Sequence, residues 1–91
     1  MSDELTGRLV FSKSGRDKGS AFLIVGISRQ GFYLLADGKL RRIEKPKCKN
    51  PRHVQLTNQT AEAVRGVLLK GEKPENYVIQ YVIRKMLEKA K

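Results

Sequence analysis

Residues 7–27, GRLVFSKSGRDKGSAFLIVGI, constrain this chain most. Leu9, Val10 and Phe11 form an apolar run. A polar loop with Gly15 and Gly19 and three cations, Lys13, Arg16 and Lys18, follows, and residues 22–27 are apolar again. Glycines between two β-rich runs supply the positive-φ positions other residues resist, so the pattern predicts two strands joined by a turn. Cations beside backbone N–H groups freed by a turn suit a phosphate. Taken alone, the loop fits an ordinary surface turn equally well. It is not a nucleotide-binding P-loop, because only Arg16, Asp17 and Lys18 separate its glycines and Ser20 follows the second.

Further along, residues 28–31 (SRQG) carry turn chemistry and residues 32–36 (FYLLA) read as a third strand. Asp37-Gly38 is the strongest hairpin signal, since a two-residue mirror-image turn needs positive φ at its centre. A fourth strand is expected over 40–43, with Arg41 and Arg42 on a wet face. Residues 44–52 (EKPKCKNPR) cannot be a central strand, because Pro46 and Pro51 have no N–H to give a ladder. They read as an extended basic loop leading to a last strand over 53–56. Five short strands with tight turns predict a small closed barrel. The second and third strands are apolar on both faces, so the barrel interior covers one side and something else must cover the other.

The carboxy-terminal third is the candidate cover. Asn58 or Thr60 caps a helix over 61–70, with Glu62 at its positive end and Gly71 just past its end. A longer helix runs from Pro74 or Asn76 to residue 89. Val78, Val82 and Met86 lie on one line of it and Ile79, Ile83 and Leu87 on the next, a wide stripe that packs on the barrel. The run YVIQYVI leaves a strand as the competing reading. The expected layout is mainly β with a helical extension: a barrel over 1–57, whose first six residues are a loose end, and helices over 58–91.

Ninety-one residues fit one domain, and the net charge of +10 points to a polyanion. The densest stretch, 39–52, holds Lys39, Arg41, Arg42, Lys45, Lys47, Lys49 and Arg52 against Glu44 alone. Cations so concentrated repel one another and make sense when a polyanion screens them, which favours nucleic-acid contact over a merely solvated face. His53, next to the run, is a phosphate or base contact, or equally a packed or solvated histidine. Six aromatics are present, and only Tyr33 reads as exposed; Tyr77 and Tyr81 read as core. This favours recognition of structured RNA by backbone and shape over base stacking.

Other classes find little support. The acidic amino terminus is no signal peptide, and the longest apolar run is too short to span a bilayer, which predicts a cytoplasmic protein. Cys48 is the lone cysteine, so no internal disulfide forms. Cys48 and His53 cannot complete a metal shell, and no serine or cysteine has a base partner beyond the single histidine. Asp17, Asp37 and Glu44 lie beside cations and read as ionised and hydrated, not as acid catalysts. No enzyme, cofactor or metal is expected.

Two of these stretches together resemble a known family. GRLVFSKSGRDKGSAFLIV resembles a KOW motif, with Lys18-Gly19 at the family's Lys-Gly pair. DGKLRRIEKPKCKNPRHV resembles the continuation in KOW-domain RNA-binding proteins similar to large-subunit ribosomal proteins of the archaeal and eukaryotic type. The resemblance covers about residues 7–56. It implies an SH3-like five-stranded barrel that binds ribosomal RNA or associates with the ribosome, with ribosomal proteins as further partners. Lys13, Ser14, Gly15, Arg16 and Lys18 would form the RNA-facing loop, and the protein would be a monomer off the RNA. The alternative is a protein-docking KOW module that binds a polymerase or ribosomal protein through its carboxy-terminal helix.

Overall fold

The computed structural model describes residues 3–89. Five strands, β1 (Arg8–Ser12), β2 (Ala21–Ile27), β3 (Tyr33–Ala36), β4 (Lys47–Lys49) and β5 (Val54–Thr60), form one antiparallel sheet in the order β4-β3-β2-β1-β5. Two helices follow, α1 (Glu62–Leu69) and α2 (Asn76–Lys89). Short 3-10 turns occupy Asp3–Leu5 and Pro51–His53.

The apolar runs of β1, β2 and β3 divide between the two faces, as strand periodicity requires. Leu9, Leu23 and Ala36 pack with Val64 of α1 and Ile79, Ile83 and Met86 of α2. Val10, Phe22, Ile24 and Leu35 face the other way and pack with Val54, Leu5 and Tyr33. Full burial of such side chains contributes roughly 1.5–3 kcal/mol each. The helices therefore supply the expected second cover. The stripe on α2 is the expected one, with Val78, Val82 and Leu87 flanking its buried centre.

The edge strands β4 and β5 do not pair, so the sheet is open where a closed barrel was expected. It is nonetheless curled. In a flat sheet the two edges would stand about 19 Å apart, yet residues 50–53, mostly a 3-10 turn rising only about 2 Å per residue, join them. Register shifts between Ile24 and Gly26 on β2, and between Arg8 and Val10 where β1 meets β5, add local twist.

Four expectations need correction. Residues 40–43 are not a strand. Ile43 is buried while Leu40 is 83% exposed, so the two do not share one apolar face. Their backbone is bonded elsewhere: Asp37 Oδ1 accepts from Lys39 N and Arg41 N, and Asn76 Oδ1 accepts from Ile43 N. The fourth strand is instead Lys47–Lys49, an edge strand between the two prolines.

β5 runs on through Asn58 and Thr60, so neither caps α1. Thr60 Oγ1 accepts from Arg8 Nε, and Ala61 precedes the helix without a side-chain cap. At the other end Gly71 N and Glu72 N donate to Leu68 O and Val67 O, the Schellman pattern that stops α1. Nor are residues 3–6 a loose end: Leu5 packs on the second cluster, and Arg65 donates to the Thr6 carbonyl at 3.0 Å. Met1 and Ser2 lie outside the described residues.

Candidate nucleic-acid interface

Residues 13–20 join β1 to β2 as a turn closed by Lys18 N to Gly15 O and Ser20 N to Asp17 O. The loop is anchored by side chains as well. Lys49 Nζ donates to Ser12 Oγ (2.7 Å), Ser14 O (2.9 Å) and Asp17 Oδ1 (2.9 Å), which uses all three ammonium protons. Lys47 Nζ donates to Asp17 Oδ2 at 2.7 Å. The Ser12 hydroxyl has two acceptors for its proton, Asp17 Oδ1 at 2.7 Å and Ser14 O at 2.9 Å. Burial opposes the charge on Asp17, but the hydrogen bonds from Lys47, Lys49 and Ser12 outweigh it. They hold the carboxyl well below the usual carboxylate range. Asp17 is thus ionised as expected, though bonded by protein groups and not simply hydrated.

Residues 37–46 cross from β3 to β4 as a second braced turn. Asp37 N and Gly38 N donate to Arg41 O, and Gln80 Nε2 of α2 donates to Gly38 O at 2.8 Å. Gly38 has φ +78°, and a Cβ there would run into the Asn76 carbonyl. Asn76, buried at the start of α2, also donates to Glu44 Oε1 and Oε2 at 3.0 and 3.2 Å. That amide, more than any other group, lowers the Glu44 pKa.

The two turns meet. Arg16 of the first and Arg41 of the second line one cleft of about 530 Å³ together with Lys47, and Asp17, Asp37 and Leu40 share its walls. Ser20 and the buried Phe22 complete its lining. Ser20 and Asp37 also belong to an adjoining cleft that continues along α2 past Lys39, Gln80 and Arg84. Sharing Ser20 and Asp37, the two clefts form one groove that carries Arg16, Arg41 and Lys47 in its first part and Lys39 and Arg84 in its second, with Asp17, Asp37 and Glu88 among them.

The thirteen expected contact residues fall into distinct groups. Lys13, Gly15, Arg16 and Lys18 are exposed on the first loop, and Ser14 is half-buried with its carbonyl bound to Lys49. Lys39, Arg41, Arg42 and Lys45 are exposed on the second turn, with Arg42 Nε 3.6 Å from Glu44. Arg52 and His53 are exposed on the 3-10 turn, and the His53 carbonyl accepts from Lys13 N at 2.8 Å, which sets that turn beside the first loop. Lys49 is the exception. It is buried with every donor bonded inside the protein, so it supports the loop and offers nothing to solvent. Lys47 is half-buried and shares Asp17.

α2 contributes residues that the sequence reading assigned to packing or passed over. Arg84 lines the groove and lies 5.5 Å from the Tyr81 ring centroid, with Lys85 at 5.6 Å. Tyr77 and Tyr81, expected in the core, are exposed, whereas Tyr33, expected outside, packs on the second cluster. The signal was available: Tyr77, Tyr81 and Arg84 sit opposite Ile79, Ile83 and Met86 at helical spacing. Among the described residues no helix is long and apolar enough to cross a membrane. Neither the protein-family models nor the curated proteins contain a match to this chain.

Proposed function

We propose that this protein binds RNA, ribosomal or ribosome-associated, through the groove between its two basic turns, as a KOW-type domain whose curled sheet corresponds to an SH3-like barrel. The observation that carries the reading is the convergence of Arg16, Arg41 and Lys47 on one cleft from three separate segments of the chain. Lys39 and Arg84 line the adjoining cleft, and Lys13 and Lys18 are exposed on the first loop, with Arg52 and His53 exposed on the 3-10 turn beside it. Such an array suits a phosphate backbone, and the hydrogen bonds behind each turn hold it in place before binding. The proposal assigns no catalytic step, cofactor or metal.

The alternative, a docking module for a polymerase or ribosomal protein, would rest on the apolar stripe of α2. That stripe lies against the sheet. The test is binding of a ribosomal-RNA hairpin across a salt series. About five neutralised phosphates give a slope of log affinity against log salt of roughly −4; a slope near zero overturns the proposal.

A further inference from the structure

Within the groove, the chemistry of the smaller cleft divides in a way that a phosphate backbone alone does not use. Arg16, Arg41 and Lys47 bring cations, but Asp17 and Asp37 line the same space, and a phosphate moved in among them would meet two carboxylates. Leu40 adds apolar surface and Ser20 adds a hydroxyl. At about 530 Å³ the cleft is of a size that takes small organic ligands. Its complement is a flat, largely neutral body bearing hydrogen-bond donors and joined to an anion, which describes a nucleotide.

Leu40 sharpens the inference. It is 83% exposed and belongs to neither hydrophobic cluster. An isolated surface leucine is ordinary, but this one stands on a turn fixed at both ends. Asp37 Oδ1 accepts from Lys39 N at 2.9 Å and from Arg41 N at 2.8 Å, and Gln80 of α2 holds the Gly38 carbonyl. An exposed apolar side chain presented on a fixed backbone is the kind of group with which proteins wedge against a base. Bases inside an A-form duplex are stacked and out of reach, so the base has to come from a bulge, loop or strand end.

Resting on the RNA reading above, we infer that the cleft takes one unpaired nucleotide of the bound RNA, its base against Leu40 and its phosphate on Arg16 and Arg41. Two RNA hairpins that differ only in a single-nucleotide bulge, carrying 2-aminopurine at that position, test this by fluorescence anisotropy. The bulged hairpin should bind roughly tenfold tighter, with a change in 2-aminopurine emission on binding. Leu40→Ala should remove most of that preference and leave the salt slope and thermal unfolding unchanged. Equal affinity for the two hairpins with a steep salt slope would overturn the nucleotide site and keep RNA binding. A Leu40→Ala protein that retains the full preference would overturn it too. If neither hairpin binds, both readings fall.

Discussion

Lys49 and Arg41 belong to the same basic run and stand eight positions apart in the chain. Lys49 is buried on an edge strand, with its three donors on Ser12, Ser14 and Asp17. Arg41 is exposed on a turn whose backbone is fixed by Asp37, so its side chain is left to the groove. One cation builds the first loop; the other is presented by the second. Charge density along a sequence counts both alike, whereas only the second kind can exchange counterions with a polyanion.

The contrast breaks most visibly at Asp17. Replacing it with Asn leaves buried Lys49 and half-buried Lys47 without their counter-charge, and removing one partner of such a pair costs about 3 kcal/mol. For a domain of this size the melting temperature should fall on the order of 15 °C. Adding Lys49→Met to Asp17→Asn should recover part of the loss, because the uncompensated buried charge goes with it. The same site gives a pH signature. A carboxyl depressed in the folded state contributes stability above the unfolded-chain value near 4 and loses it as pH falls further. Urea midpoints should therefore drop below about pH 4, and do so less steeply in Asp17→Asn. Glu44, lowered mainly by the Asn76 amide, acts in the same direction in both proteins.

A pair of glycines separates the turns next. Gly38→Ala combines a φ of +78° with a clash against the Asn76 carbonyl and should cost roughly 2–3 kcal/mol. Gly19→Ala, at φ +89° with nothing within 4 Å of the new methyl, carries only the backbone cost of about 1 kcal/mol. Equal losses in urea unfolding would mean that the second turn is no more tightly held to α2 than the first is to solvent.

How much of this could be read from the chain depends on where each partner lies. β2 and β3 are legible because their sequence is apolar on both faces, and β1 because Leu9, Val10 and Phe11 run into a turn with two glycines. The stripe of α2 was legible because Ile79, Ile83 and Met86 recur at helical spacing. The segment 40–43 is not legible because its backbone bonds go to side chains, Asp37 nearby and Asn76 thirty-three residues away from Ile43. The burial of Lys49 is hidden for a similar reason, since its partner Asp17 is thirty-two residues distant and meets it only after the sheet curls. Convergence of the two turns on one cleft is likewise tertiary, and no spacing in the sequence encodes it.

The smallest stability effect carries the most functional weight. Arg41→Glu with Arg42→Glu changes two exposed side chains, one of them 3.6 Å from Glu44 in a surface pair worth at most about 1 kcal/mol. Unfolding should move by about 0.5 kcal/mol or less. Affinity for a ribosomal-RNA hairpin should nevertheless fall on the order of tenfold or more, with the salt slope shallower by about 2. Asp17→Asn, measured well below its lowered melting temperature, provides the opposite case: the exposed cations of the second turn stay in place, so the slope should change little even where affinity drops. If instead the double charge reversal leaves RNA affinity intact, the second turn is a solvated arm, and any interface would have to be sought at Lys13, Arg16 and Lys18 with the neighbouring Arg52 and His53.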